Sequence, residues 1–148
     1  ATGGQNGGDR KYVSSLRRKL AQHGMEQDAE FLEDFDLPAR RAFLDSISVL
    51  SVPAEKGEAA GMFILESLLS CVPVVQPDAG GFPEFVRATG GGVLYDPKNP
   101  DALFEAIKTL LLDRERALAL GRTGNAVVRE RFGIGRMADD LMKVYAEL

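Results

Sequence analysis

Val72-Pro73-Val74-Val75 restricts the fold more than any other stretch of this chain. Four apolar side chains in a row, with no polar residue alternating among them, do not suit a sheet with one face in water. The run predicts a strand buried on both faces. Pro73 stands near its start, where the missing N–H costs no ladder bond. Ile47 to Val52, ended by Pro53, and Gly91-Gly92-Val93-Leu94 read as strands of the same apolar or small-residue kind, and Ala29 to Leu32 as a further short one. Helical patterns separate them. Strands alternating with helices, and apolar throughout, indicate a parallel sheet covered on both sides. The expected fold class is therefore α/β: a doubly wound, Rossmann-like parallel sheet, one domain over residues 1–148, with its ligand at the C-terminal ends of the strands.

The helices follow from spacing and end signals. Asp9 can cap a helix carrying Tyr12, Val13, Leu16 and Leu20, which His23-Gly24 stops. Pro38 sits just inside a second helix, Leu37 to about Ser46, with Phe43 and Leu44 on its buried side. An apolar helix is expected from Gly61 to about Ser70, and a short one from Gly80-Gly81 through Val86. Asn99 is placed to cap a helix with Ala102, Leu103, Ala106, Ile107, Leu110 and Leu111 on one face. Two more helices, around Arg114 to Arg131 and Ile134 to Glu147, end the chain. The first residues, Ala1 to Gly8, read as the end of a strand entering a Gly-rich loop, so upstream chain is expected.

Composition excludes several functions. The net charge is −4 with acids and bases well mixed, which leaves no clustered basic surface for nucleic acid. Cys71 is the one cysteine, so no internal disulfide forms, and a reducing cytoplasm is the expected setting. Ala59 to Pro77 is the longest stretch of low charge. Glu66 and Pro73 interrupt it, so no transmembrane segment is expected. Peripheral membrane contact of a longer protein stays open. His23 reads as a surface residue and Cys71 as a small packed side chain. No metal or other cofactor is expected.

The chemistry concentrates around Glu66, the one charged side chain between Ala59 and Pro77. A carboxylate buried in so apolar a helix without a partner would be costly. Either it reaches a pocket, where adjacent sugar hydroxyls are natural donors to its two oxygens, or a nearby base neutralises it. Glu58 precedes the helix, on the ligand side of the strand ending in Val52. Gly61 lets first-turn amides approach a ligand closely, and a helix N-terminus favours an anion such as a diphosphate. Gly80-Gly81 opens a second helix of the same kind. Such a layout can hold a sugar, a diphosphate and a ribose in succession.

Glu58-x7-Glu66 with Gly61, then the Pro-Val-Val strand, then Gly80-Gly81-Phe82-Pro83-Glu84, resembles the C-terminal domain of family 4 glycosyltransferases, which have the GT-B architecture. The likeness runs from the strand end at Thr2 to the last helix. It implies a hexosyltransferase-type reaction in the full-length enzyme, moving a sugar from a nucleotide diphosphate donor with retention of configuration. The resemblance assigns Glu58 to catalysis and to the donor-sugar hydroxyls, Gly61 and Met62 to amide contacts, and Glu66 to the ribose hydroxyls. Gly80 and Gly81 complete the donor-binding set. It also implies that the domain's first strand and helix, and an N-terminal domain carrying the acceptor site, lie elsewhere, so this chain alone should be inactive. The family usually has Gly-Phe-Gly where this chain has Ala59-Ala60-Gly61, and Gly where it has Cys71. A non-catalytic nucleotide- or sugar-phosphate-binding module, or a GT-B-like epimerase or phosphorylase, fits the same architecture.

Overall fold

The computed structural model describes residues 7–32, 36–54 and 61–147. The chain separates into two compact units, Ala1–Phe43 and Leu44–Leu148. In the first, α1 spans Gly7–Gln22 and a 3-10 turn spans Glu26–Asp28. The helix begins ahead of Asp9, so Asp9 is a helical residue rather than the cap expected of it: glycine is a poor helix former but not a forbidden one. Tyr12 is exposed. Arg17 lies over the Phe31 ring, 4.5 Å from its centroid. Ala29 to Leu32 forms no regular strand, with Leu32 alone in a bridge. Helix α2, Leu37–Ser46, runs across the boundary between the units, and Asp36 Oδ1 accepts the Ala39 N–H at 2.9 Å at its start. Its Leu44 is buried, as the spacing requires.

The second unit holds the sheet. Strand β1, Val74–Pro77, pairs in parallel with β2, Gly92–Tyr95, in the register Val74↔Gly92 to Pro77↔Tyr95. On its other side β1 makes a single parallel bridge, Leu50↔Val74. β1 is thus central and all four of its residues are buried, as the apolar run demanded. The strand runs two residues past Val75, which brings Gln76 into the interior. Ile47 to Val52, expected as a full strand, pairs only at Leu50. Leu50 N–H donates to the Pro73 carbonyl and Val75 N–H to the Leu50 carbonyl. The following bond would run from the Val52 N–H to the Val75 carbonyl, but that amide donates to Gln76 Oε1 at 3.2 Å instead, and Pro77 has no N–H to return to the Val52 carbonyl.

Four helices cover this sheet: α3 (Met62–Leu69), α4 (Phe82–Thr89), α5 (Ala102–Leu112) and α6 (Arg114–Arg131); α7 (Ile134–Ala146) follows them and buries none of its residues. Ile64, Leu65, Leu68, Val74, Phe82, Val86 and Val128 form the buried cluster that ties α3, α4 and α6 to β1. Asp113 caps α6 by accepting the Arg116 N–H at 3.0 Å. The start of α5 corrects the expected cap: the helix begins at Ala102 after Asp101, while Asn99 Oδ1 accepts the Asp101 N–H at 3.0 Å in the preceding turn. Leu110 is buried, but Leu111, expected on the same face, is exposed.

Candidate functional site

Two helices start beside each other at the C-terminal end of β1. Gly61 is the N-cap of α3 and holds a left-handed backbone, φ 51° and ψ 34°. Space is not what demands glycine there, since a Cβ would sit 3.4–3.6 Å from Ile64 and the Phe82 ring. The positive φ demands it. No side chain caps α3, and its first bond runs from Ile64 N–H to the Gly61 carbonyl at 2.8 Å. The amides of Met62 and Phe63 precede that bond and have no place in the helical ladder.

Helix α4 starts alike. Gly80 has φ 58°, Gly81 is the N-cap without a side-chain cap, Pro83 stands in the first turn, and Glu84 follows where the helix dipole favours an acid. Phe82 joins the two starts. It is fully buried, its ring lies 5.9 Å from that of Phe63, and it faces Gly61. Asp78 N–H donates to the Tyr95 carbonyl at 2.8 Å, which fixes the entry to α4 on the edge of β2. Burial pushes the Tyr95 phenol above its ordinary value, so it brings no negative charge to this edge. The exposed pair Arg87 and Asp78, 3.1 Å apart, neutralises the acid beside the α4 start.

Glu66 sits differently from the buried carboxylate expected. Ile64, Leu65, Ser67 and Leu68 form the buried side of α3, whereas Met62 and Leu69 are exposed and Glu66 is half-buried. Residues 62, 66 and 69 recur at helical spacing, so Glu66 lies on the open face, in line with Met62. Gly61 and the first turn of α3 with Met62 thus lie beside Phe82 at the start of α4, which Gly80 and Gly81 lead into, and Glu66 follows one turn after Met62 along the open face of α3. Glu58 lies outside the described residues. Cys71 is exposed rather than packed. No helix is long and apolar enough to cross a membrane, and no metal-holding cluster of His, Cys, Asp and Glu occurs, among the described residues.

A cleft of 490 Å3 opens elsewhere, lined by Asp45, Ser48, Cys71, Pro73, Arg114 and Leu118 among others. Cys71 and Pro73 precede β1, so this cleft lies at the N-terminal edge of the strand. Ligands of open α/β sheets bind at the opposite edge, where α3 and α4 start. Gln76 escaped the sequence reading. Its signal was a polar residue at the end of an apolar run, just beyond the expected strand.

Comparison with known proteins agrees with this fold. Residues 6–127 match the model of the glycosyl transferases group 1 family. The GDP-mannose-dependent alpha-(1-6)-phosphatidylinositol monomannoside mannosyltransferase of Mycobacterium tuberculosis is 30% identical over 76% of this chain and 31% of its own length. The lipopolysaccharide core biosynthesis mannosyltransferase LpsB of Rhizobium meliloti is 30% identical over 93% of this chain and 39% of its own. Among solved structures, Anabaena Alr3699/HepE in complex with UDP superposes with a TM-score of 0.86 at 24% identity, over 99% of this chain and 40% of that one. The same neighbour is known with UDP-glucose, at TM-score 0.79, 24% identity, 96% of this chain and 38% of that one. The fold is that of the GT-B glycosyltransferases. The chain belongs to the glycosyl transferases group 1 family. It spans roughly a third of the length of these curated relatives, 31% and 39%.

Proposed function

We propose that this chain is the single donor-binding domain of a retaining, family 4 type glycosyltransferase, and that it holds a nucleotide diphosphate sugar across the starts of α3 and α4. The observation that carries the reading is the meeting of two helix starts without side-chain caps at Phe82, with Glu66 on the open face of one of them. Amides of Gly61, Met62, Gly80 and Gly81 neutralise the diphosphate through hydrogen bonds and helix dipoles, so no metal is required. Glu66 accepts the ribose hydroxyls. Glu58, in the Glu58-x7-Glu66 motif, accepts hydroxyls of the transferred sugar and stabilises the charge that develops as the donor bond breaks. The acceptor belongs to another domain of the full-length protein, so this chain alone transfers no sugar. The neighbour's complexes with UDP and UDP-glucose support a nucleotide-sugar ligand, and the mannosyltransferase relatives support sugar transfer. A cytoplasmic setting fits the one cysteine, which is free and exposed.

The two glutamates separate the halves of the donor. A hydrogen bond to a charged acceptor contributes about 1.5–3 kcal/mol, so losing one costs roughly ten- to hundredfold in affinity. In the full-length protein, Glu66→Gln should weaken free nucleoside diphosphate and nucleotide sugar alike. Glu58→Gln should weaken only the nucleotide sugar. Calorimetric titration of both variants with UDP, GDP, UDP-glucose and GDP-mannose decides it. Equal loss of the diphosphate in both variants would show the roles to be misassigned.

A further inference from the structure

Charge is not mixed evenly along the chain. Of its 18 Lys and Arg residues, five fall between Arg10 and Lys19, and all 22 Asp and Glu residues fall outside that stretch. The even mixing expected from composition therefore fails over one helix, and α1 is a basic island in an otherwise acidic chain. The helix also sorts its residues by side. Arg10 and Arg17, like Lys11 and Arg18, stand seven residues apart, so each pair lies on one side, two turns apart. Ser14 stands between the pairs, and its hydroxyl folds back to donate to the Arg10 carbonyl at 2.8 Å. Val13, Leu16 and Leu20 occupy the other side and are half-buried, whereas all five cations are exposed. None of the five makes an ion pair among the described residues. Tyr12, 66% exposed, borders the basic face two turns before Lys19.

We propose that this face of α1 adsorbs to an anionic lipid surface. Charge complementarity is the ground for it. Arg17 is set aside, because its guanidinium lies over the Phe31 ring and shares a small hollow with Glu26. That leaves Arg10, Lys11, Arg18 and Lys19. Each cation near an anionic bilayer adds about fivefold to partitioning, so the four together hold the helix there. Acids more than about 8 Å from the patch oppose it little, since salt screens them at that distance. Nucleic acid suits the face less well. Single strands stack their bases on aromatic rings set among the cations. Here Tyr12 stands at the border, and Phe31 lies under Arg17. A tyrosine at the edge of a basic helix instead matches the headgroup level of a bilayer. The helix lies on the surface rather than in it, because its apolar side is already half-buried in the protein. This surface is independent of the donor-site reading.

The test is co-sedimentation of the full-length protein with vesicles of phosphatidylcholine, alone or mixed with phosphatidylserine, over a salt series. Two double variants each remove two exposed cations: Lys11→Gln with Arg18→Gln in α1, and Arg116→Gln with Arg122→Gln in α6. The unaltered protein should bind only the phosphatidylserine vesicles, and less as salt rises. The α1 variant should lose about thirtyfold in partitioning, while the α6 variant keeps it. Should the α1 variant melt lower, Lys11→Arg with Arg18→Lys keeps the charges and should bind as the unaltered protein does. No binding to phosphatidylserine vesicles, equal binding to both kinds, or equal loss in both double variants would overturn the proposal. So would a labelled single-stranded RNA that bound through Lys11 and Arg18 where vesicles did not, which would give the face to nucleic acid. Self-association in ultracentrifugation, abolished by the α1 variant and accompanied by no vesicle binding, would give it to a second copy and overturn the proposal equally.

Discussion

Cys71 takes a backbone that favours glycine. Its φ is 57°, and it stands where α3 ends in a paired turn: Cys71 N–H donates to the Leu68 carbonyl and Val72 N–H to the Ser67 carbonyl, both at 3.0 Å. This is the Schellman arrangement, whose left-handed position is glycine in most helices. Relief of the left-handed strain is worth about 1–2 kcal/mol. The extra freedom of glycine in the unfolded chain takes back about 0.5–1 kcal/mol. The strain outweighs it, and the exposed thiol loses little packing. Cys71→Gly should therefore raise the midpoint of thermal unfolding by about 1–4 °C, the shift that about 0.5–1 kcal/mol gives in a domain of this size. A fall in the midpoint, by calorimetry, would mean that the thiol makes contacts worth more than the strain. Single residues were unevenly legible in the sequence. Gly61 stood out by type, and the structure gives it the left-handed backbone that glycine suits, whereas Glu66, expected buried, lies half-buried on the open face of α3. Gln76 did not stand out, because its bond runs to the Val52 amide, more than twenty residues away. Such cross-chain causes leave no local pattern.

At the scale of elements, α6 carries more of the site's support than its sequence suggested. Asn125 Nδ2 donates to the Leu68 and Leu69 carbonyls at 3.0 and 2.8 Å, closing the C-terminal end of α3. Two glycines let the helices approach. A Cβ at Gly121 would overlap the Cys71 carbonyl, and one at Gly124 would lie 2.6 Å from Leu68 and 2.8 Å from the Gly91 Cα. Backbone stands in the way at both, so the clash cannot be relieved by a rotamer change. Gly121→Ala should cost about 2–3 kcal/mol, at the upper end of overpacking, even though alanine is the better helix former by about 1 kcal/mol. Chemical denaturation measures this, and a neutral or stabilised variant would contradict the close contact. Helices were legible almost throughout, since α2, α6 and α7 follow from periodicity and end signals alone. Strands were less so. Ile47 to Val52 has a strand's composition, but pairing is decided by the partner: the Val52 amide turns to the Gln76 side chain and Pro77 has no N–H to give, so only Leu50 pairs.

For the whole molecule, the class of fold was readable from one apolar run between helices, because such a strand needs cover on both faces. Which edge binds ligand was readable only from the rule for open α/β sheets, and the molecule offers a rival in the 490 Å3 cleft beside Cys71 and Arg114. That rivalry defines the decisive measurement. Amide resonances of the chain should be followed by NMR as UDP-glucose or GDP-mannose is added. The account predicts that Gly61, Met62, Gly81 and Phe82 shift with a common saturation curve while Ser48, Cys71 and Arg114 stay in place. Shifts confined to the Cys71 cleft, with the starts of α3 and α4 unmoved, would contradict it.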